Sequence, residues 1–223
     1  MKASEDFQAT THGGPVTLPL PPGKVKPRKG ESLNAKNRLR SEMRALRRDH
    51  VAALPDRMRA LMFLRPPSPV AALAPEEAIV GLYCAHGAEA PTASYARWFH
   101  ENGRRIALPW YADRDAPLRF RLWEDPYHED GLEPGPFRFG QPVASAPEVT
   151  PDVVMVPLIA FTADGHRLGQ GGGHYDRWLE AHPDAMAVGM AWDCQLVDTL
   201  PIEPHDRILR AVVTPTRLYE GET

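Results

Sequence analysis

Between residues 39 and 54, mostly apolar side chains recur every three or four residues, which is the spacing of one face of a helix. Asn34 stands directly before this pattern and is a candidate N-cap, so we predict a helix over residues 34–54. A second helix is predicted near residues 56–64. The residues at this helical spacing are Leu39, Met43, Leu46, His50 and Leu54.

A basic stripe runs beside this apolar face, one residue out of phase with it. Its members are Lys36, Arg40, Arg44 and Arg47. Residues 24–48 hold ten Lys or Arg against two acids, a local charge of +8, so that with −3 for the whole chain the remainder carries −11. This asymmetry favours an anionic ligand, with phosphate, nucleic acid and a polyanionic cofactor all admissible. A solvated helix face explains the stripe equally well.

Beyond the break at "RPPSP", near-continuous apolar segments alternate with amphipathic ones. The apolar segments predict buried strands, and an alternating segment at 118–123 predicts a more exposed strand. The amphipathic segments predict helices at 92–103, with Thr92 as cap and Gly103 as stop, and at 173–182. We therefore expect an α/β fold: a single three-layer, Rossmann-like domain with a largely parallel central sheet flanked by helices. The predicted buried strands are 78–84, 104–110, 152–161, 185–192 and 209–214.

Residues 1–33 are expected to be a disordered or loosely packed arm, and residues 34–220 the folded domain. The first thirty residues lack apolar periodicity and are rich in Pro and Gly. The two cysteines, Cys84 and Cys194, give neither a disulfide framework nor a zinc pattern. No apolar run approaches the ~20 residues that cross a bilayer, and no secretory or transit pattern opens the chain. A cytoplasmic protein without membrane contact is therefore expected.

The segment "RLGQGGGHYD" at 167–176 contains four glycines in five positions. It follows the predicted strand 152–161 and leads into the predicted helix 173–182. At the carboxyl end of a parallel strand, bare backbone lets several N–H groups turn toward one point, and the helix N-terminus adds a partial positive charge. The spacing predicts a phosphate site, although it matches neither GxxxxGK[S/T] nor GxGxxG. A glycine turn that only packs the helix on the sheet is the alternative.

Side chains beside the glycines fit a phosphate ligand. Arg167 stands two residues before them, within reach of phosphate oxygens, and Asp176 in the first turn of the helix could hold a magnesium ion on bound phosphates. From the residues alone, an acid that serves only the helix dipole is the favoured interpretation of Asp176. His174 and Tyr175 could stack on a planar ligand or simply pack, and the pattern favours neither.

Several blocks, in order along residues 34–215, resemble the 5-formyltetrahydrofolate cyclo-ligase (methenyltetrahydrofolate synthetase) family. They are "KNRLR", "GAEAPT", "FTADGHRLGQGGGHYDRWL" and "LPIEPHDRILRAVVTP". The resemblance implies a ligase of one-carbon metabolism that uses Mg·ATP to convert 5-formyltetrahydrofolate into 5,10-methenyltetrahydrofolate, ADP and phosphate. The formyl oxygen would attack the γ-phosphate, and N10 would then close the ring on the phosphorylated imidate. Residues 34–220 would be the catalytic domain of a monomer whose partners are its two small-molecule substrates.

The resemblance also implies roles for individual residues. The ATP-binding set would be Lys36, Arg40, Arg167, Gly169, Gln170, Gly171, Gly172, Gly173, His174 and Tyr175, with Arg167 and Tyr175 catalytic. The folate-binding set would be Glu89, Cys84, Trp110, Gln170, Gly171, Gly172, Gly173 and His174. Glu89 suits the adjacent N–H donors of the pterin ring, whereas Trp110 is either an aromatic wall or a core residue. Asp176 and Asp206 would bind the magnesium ion.

Three positions depart from the pattern of some relatives. Gln170 and Gly172 stand where those relatives carry Arg and Lys, and His174 replaces the first of two tyrosines, which leaves the stacking of the substrate open. Three other functions stay open. They are a non-catalytic nucleotide- or folate-binding relative that could associate with RNA, a sugar-phosphate isomerase or CoA-transferase of similar architecture, and nucleic-acid binding by residues 24–48. The last is disfavoured because the basic segment has no interleaved aromatic residues for base stacking.

Overall fold

The computed structural model describes residues 29–137, 139–203 and 206–221. Its first helix, α1 (Lys29–Ala53), begins before the predicted start. Asn34 therefore lies inside the helix, and its assignment as the N-cap is wrong. Lys29, Glu31 and Leu33 are good helix formers, which explains why the helix extends into the segment that we assigned to the arm. Residues 1–28 of that arm lie outside the described residues.

The buried face of α1 is rotated slightly from the predicted one. Met43 and Val51 are buried, but Leu46 is 47 % exposed and Arg47 is buried in its place. Arginine can bury its aliphatic stem while its guanidinium reaches polar atoms, so a hydropathy pattern misplaces it. Part of the basic stripe consequently faces the protein interior.

The other α-helices among the described residues are α2 (Asp56–Leu61), α3 (Ser68–Ala72), α4 (Ala93–Glu101) and α5 (His174–Ala181). Thr92 occupies the N-cap position of α4 as predicted, but its side chain does not cap the helix. Its hydroxyl donates instead to the carbonyl oxygen of Tyr83 at 2.6 Å. Within the described part of the chain, no helix is long and apolar enough to cross a membrane.

The described strands, in chain order, are β1 (Ile79–Gly81), β2 (Arg105–Trp110), β3 (Arg119–Leu122), β4 (Leu132–Pro134), β5 (Gly140–Pro142), β6 (Glu148–Val149), β7 (Val153–Pro157), β8 (Ala160–Phe161), β9 (Arg167–Leu168), β10 (Met186–Met190), β11 (Ala211–Val213) and β12 (Leu218–Glu220). Eight of them form one sheet in the order β12–β11–β10–β7–β1–β2–β3–β6. The central strands β11, β10, β7, β1 and β2 are parallel, and the outer strands pair antiparallel. The strand pairs β4–β5 and β8–β9 are separate hairpins.

The prediction of one continuous strand over residues 152–161 is wrong in one respect. β7 ends at Pro157, and the following residues pair with β9 as the β8–β9 hairpin. Proline has no N–H to donate to a sheet ladder, which favours the end of the strand at this position. The other predicted strands are all present, each inside its predicted range. The short strands β4, β5, β6, β9 and β12 were not predicted.

Helices cover both faces of the sheet. Val51 of α1, Val70 of α3 and Phe99 of α4 pack on one face. Trp178 and Leu179 of α5 pack on the other. The three-layer α/β domain is therefore confirmed. In such a sheet the carboxyl ends of the parallel strands share one edge, which is where a ligand crevice is expected.

Gly165, in the turn between β8 and β9, has a φ of +94°, and an added Cβ would lie 2.7 Å from the carbonyl oxygen of Leu209 and 3.0 Å from Cα of Gly221. Both are backbone atoms, so the chain itself would have to shift. We expect Gly165→Ala to lower the free energy of unfolding by roughly 2–4 kcal/mol in urea denaturation. Gly87→Ala is the control, since its φ is +61° but nothing lies within 4 Å of the added carbon. That variant should lose only about 1 kcal/mol, and equal losses would contradict the steric explanation.

Candidate active site

A cleft of about 910 Å³ opens at the carboxyl ends of β1, β2 and β7. One wall is α1, and another is the glycine loop, residues 169–173. All four members of the basic stripe line the cleft. The stripe therefore belongs to a site, and its interpretation as a purely solvated helix face is set aside.

The glycine loop is tied to α1 by two arginines. Arg40 Nε donates to the carbonyl oxygen of Gly169 at 2.9 Å, and Arg44 Nη2 donates to that of Gln170 at 3.0 Å. Gly171 has a φ of +109°, a conformation that side chains rarely adopt. Burial and the neighbouring charge of Arg44 lower the pKa of Arg40, which nevertheless stays cationic at neutral pH. The two contacts bring positive charge to the edge of the loop.

Arg167, on β9, is 9 % exposed and is held by two acceptors. Its Nη1 donates to the carbonyl oxygen of Arg207 at 3.0 Å, and its Nη2 donates to Oδ1 of Asp176 in the first turn of α5. Burial lowers the pKa of Arg167, while Asp176 and Asp206 oppose that shift. Asp176 is therefore part of an ion pair that lines the cleft and does not serve the helix dipole alone.

Lys36 is buried between two carboxylates of the loop that precedes β11. Its Nζ lies 2.7 Å from Oε2 of Glu203 and 3.0 Å from Oδ2 of Asp206. The backbone N–H of Glu203 also donates to Oδ2 of Asp206 at 2.8 Å. Sequence analysis missed Glu203, because no local pattern reports that this loop returns to α1.

Glu89 follows β1 and lies within hydrogen-bond distance of the glycine loop. Its Oε2 accepts from the backbone N–H of His86 at 2.9 Å, and its Oε1 accepts from the side-chain Nε2 of Gln170 at 2.7 Å. An ionised carboxylate offers about four acceptor positions, so Glu89 can take further donors. It therefore suits a ligand edge with adjacent N–H groups.

Part of the cleft lining is an aromatic wall, in contrast to the charged residues above. Tyr111, Phe137 and His174 meet edge to face, with ring centroids between 4.9 and 5.6 Å apart. Phe139 stacks on Phe137 at 5.9 Å. Both phenylalanines come from the loop of the β4–β5 hairpin, and their spacing of two residues in "GPFRFG" is a signal that sequence analysis did not use. The wall offers apolar surface to a planar ligand.

Trp110 does not belong to this wall, contrary to the expectation from the resemblance. It is absent from the described lining of the cleft, and its ring packs against the guanidinium of Arg121, 4.3 Å from the ring centroid. Its neighbour Tyr111 lines the cleft instead. Successive side chains of a strand point to opposite faces, so a shift of one residue exchanges the two.

Burial shifts the pKa values of His174 and Tyr175, at the start of α5, in opposite directions. Burial and the nearby charge of Arg177 lower the pKa of His174, so its imidazole is neutral at pH 7. Burial raises the pKa of Tyr175 well above its usual value. Tyr175 therefore stays a phenol at neutral pH and can donate a hydrogen bond into the cleft.

Cys84 lines the cleft and donates its thiol hydrogen to the carbonyl oxygen of Gly140 at 2.9 Å. Burial, assisted by Glu129, raises the pKa of this thiol to about 11. Since only about one such thiol in a thousand is ionised at pH 8, we expect iodoacetamide to alkylate Cys84 at least roughly a hundredfold more slowly than free cysteine. The rate should rise steeply through pH 10. Timed labelling followed by peptide mass spectrometry measures it, and rapid labelling at pH 8 would contradict the burial of the thiol.

With the exception of Trp110, the residues that sequence analysis assigned to a site come together in this one cleft. They are Lys36, Arg40, Cys84, Glu89, Arg167, Gly169, Gln170, Gly171, Gly172, Gly173, His174, Tyr175, Asp176 and Asp206. The structure adds Tyr111, Phe137, Phe139 and Glu203, to which sequence analysis gave no role, and it places Arg44 and Arg47 of the basic stripe in the same cleft.

Known proteins resemble this chain in sequence and in fold. Residues 32–215 match the 5-formyltetrahydrofolate cyclo-ligase family. The 5-formyltetrahydrofolate cyclo-ligase of Escherichia coli K12 is 35 % identical over 147 residues, which cover 63 % of this chain and 80 % of that protein. The protein of the same name from Mycolicibacterium smegmatis is 34 % identical over 122 residues, 52 % of this chain and 63 % of its own. The structure of Aquifex aeolicus 5,10-methenyltetrahydrofolate synthetase shares the fold, with a TM-score of 0.65 at 23 % identity over 84 % of this chain and 95 % of that one.

Proposed function

Because the chain belongs to the 5-formyltetrahydrofolate cyclo-ligase family, we propose that it converts 5-formyltetrahydrofolate and ATP into 5,10-methenyltetrahydrofolate, ADP and phosphate. The observation that supports this most strongly is the meeting of three features in one cleft: the basic face of α1, the glycine loop and Glu89. A volume of about 910 Å³ lies near the upper end for ligand pockets, as two adjacent substrates require.

The nucleotide phosphates would lie between α1 and the glycine loop. Lys36, Arg40 and Arg167 supply cations there, and the N-terminus of α5 adds its dipole. Arg167 is held by Asp176 and by a backbone carbonyl, so its orientation is set before the ligand arrives. A preorganised cation is what stabilisation of a transferring phosphoryl group needs.

The folate would lie across Glu89 and the aromatic wall. The carboxylate of Glu89 would accept from the pterin N–H groups, and Tyr111 and Phe137 would pack against the planar part of the ligand. This arrangement would bring the formyl group to the glycine loop, next to the γ-phosphate. Holding two reactants in contact removes much of the entropic barrier to their reaction.

The proposed reaction has two steps. The formyl oxygen attacks the γ-phosphorus and the bond to ADP breaks, which gives a phosphorylated imidate. N10 then attacks the former formyl carbon, the carbon–oxygen bond breaks with its electrons passing to phosphate, and the proton of N10 passes to that phosphate. Arg167 would stabilise charge on the phosphoryl group in the first step. Tyr175, a phenol that lines the cleft, would donate a hydrogen bond to the departing phosphate in the second.

Magnesium is the cofactor in this proposal, held by Asp176 and Asp206, each of which is ion-paired with a basic residue of the cleft. Within the described ranges no three His, Cys, Asp or Glu side chains form a metal-binding group. Mg²⁺ commonly uses only one or two protein carboxylates and takes its other ligands from phosphates and water, so these residues fit an ion that arrives with the nucleotide. Bound there, the ion would neutralise charge on the phosphates.

Asp206→Asn is expected to raise the magnesium concentration needed for half-maximal turnover by about tenfold, because one carboxylate ligand becomes a neutral amide. The measurement is a magnesium titration of the rate at saturating ATP and folate. Asp198→Asn removes an exposed carboxylate nearby in sequence and should leave the titration unchanged. An unshifted titration for Asp206→Asn would remove that residue from the magnesium site.

The test of the proposed function is direct. Purified protein is mixed with 5-formyltetrahydrofolate and Mg·ATP, and the near-ultraviolet absorption of the methenyl product is followed together with the release of ADP. We expect product and ADP in equal amounts, and no product without ATP. Folded protein that binds folate or nucleotide but forms no product would instead be a non-catalytic relative, and the proposal would be withdrawn.

Two glutamate variants make the assay specific for the cleft. Glu89→Ala should raise KM for the folate by about a hundredfold, since a carboxylate that pairs with two N–H donors is lost. Glu76→Ala removes an exposed glutamate outside the cleft and should leave KM unchanged. Equal KM values in the two variants would show that the folate binds elsewhere.

A further inference from the structure

A chain of hydrogen bonds leads from α1 through the glycine loop to Glu89. Arg44 Nη2 donates to the side-chain Oε1 of Gln170 at 3.1 Å, and Gln170 Nε2 donates to Oε1 of Glu89 at 2.7 Å. The same arginine nitrogen also donates to the backbone carbonyl of Gln170 at 3.0 Å. One guanidinium nitrogen therefore holds both the main chain and the side chain of Gln170.

The chemistry of the two ends fixes the direction of the amide between them. A guanidinium can only donate hydrogen bonds, and an ionised carboxylate can only accept them. The amide oxygen of Gln170 must therefore face Arg44, and its NH₂ group must face Glu89. Without Arg44, the exposed side chain of Gln170 could rotate, because no other hydrogen bond to its amide oxygen is found among the described residues.

We propose that Arg44 and Gln170 are positioning residues for Glu89. The orientation of the Glu89 carboxylate, which would bind the folate, is thereby fixed from α1, the helix that also carries the cations for the nucleotide. This inference rests on the proposed function of Glu89 as the pterin acceptor. The backbone N–H of His86 on one oxygen and Gln170 on the other fix the carboxylate plane, and its remaining lone pairs would be left for the ligand. Arg44 acts on folate binding without touching the folate.

The test is a double-mutant cycle on the dissociation constant of 5-formyltetrahydrofolate, measured by isothermal titration calorimetry without ATP. We expect Gln170→Ala to weaken binding about tenfold, the effect of losing a hydrogen bond to a charged group, and Arg44→Ala to weaken it about fivefold. The double variant should bind no more weakly than Gln170→Ala alone, because Arg44 acts through Gln170. If the dissociation constant of the double variant instead rose by the two single factors multiplied together, the proposal would be overturned.

Further variants exclude a general structural effect. Arg44→Lys keeps a donor for the amide oxygen and should restore binding to within about threefold of wild type. Arg38→Ala is the matched control, since it removes the same charge from α1 at a side chain that is 80 % exposed, and it should not change the dissociation constant. In steady-state assays Arg44→Ala and Gln170→Ala should change KM for the folate far more than kcat.

Two outcomes separate this inference from the function on which it rests. If Gln170→Ala bound the folate as tightly as wild type, Gln170 would not position Glu89, and the inference would fail while the proposed function stood. If the wild-type protein bound no folate, or Glu89→Ala bound it normally, the proposed function itself would fail.

Discussion

Replacing Lys36 with methionine is expected to abolish ATP binding and to lower the free energy of unfolding by about 3 kcal/mol. Methionine fills the space of the lysine stem but leaves Glu203 and Asp206 facing each other without the cation that lies 2.7 and 3.0 Å from them. The remaining negative charge would also repel phosphates. Calorimetry with a non-hydrolysable ATP analogue measures the first effect, and urea denaturation measures the second.

A second variant separates the two roles of Lys36. Lys36→Met combined with Glu203→Gln removes one of the two opposed carboxylates and should recover most of the lost stability. It should not recover ATP binding, because no cation has been returned. Recovery of both would mean that Lys36 supports the fold and does not contact the nucleotide.

Replacing Arg167 with lysine is expected to lower kcat by about a thousandfold, the effect of losing a preorganised charge donor at a reacting group. Lysine keeps the charge, but a single ammonium on a flexible stem cannot reproduce the fork that joins the Arg207 carbonyl to Asp176. Steady-state kinetics with both substrates saturating measures the change, and an ATP dissociation constant measured in parallel shows whether binding survives.

Arg177→Lys is the matched control for this experiment. Arg177 also stands near the start of α5 and donates to the carbonyl oxygen of Gly172 at 3.0 Å, but it is exposed and does not line the cleft. Its replacement should change kcat by no more than about threefold. Similar losses of kcat in the two variants would mean that any arginine near the glycine loop supports turnover to the same extent, and that Arg167 has no specific catalytic role.

The hydropathy pattern predicted the sheet well, because parallel strands are buried on both faces and therefore have nearly continuous apolar sequences. Five of the predicted strands were confirmed in type and approximate range. The failure at 152–161 arose where a proline, Pro157, lies inside an apolar run and ends the ladder. Hydropathy alone does not register a missing N–H. The start of α1 was also misplaced, because a good capping residue such as Asn34 does not stop a helix whose preceding residues are themselves good helix formers.

The site was harder to predict wherever a side chain's partner is remote in sequence. The glycine loop and Arg167 are local and became candidates from their spacing, whereas Asp176 was assigned only through the family resemblance. Glu203 was not found, since its partner Lys36 lies 167 residues away. Trp110 and Tyr111 show a different limit, because which of two adjacent residues faces a cleft depends on where the strand ends.

The carboxylates of the cleft also bear on how its products leave. Five cationic side chains line the described cleft, but four carboxylates accompany them, so the site as a whole carries little excess positive charge. Such a pocket has weak affinity for a bare anion that brings no counter-ion. Inorganic phosphate would then depart readily after ring closure, and a phosphate or sulfate buffer would compete poorly with the nucleotide. In the proposed reaction, the ion pairs at Lys36 and Arg167 would favour turnover over retention of the phosphate product.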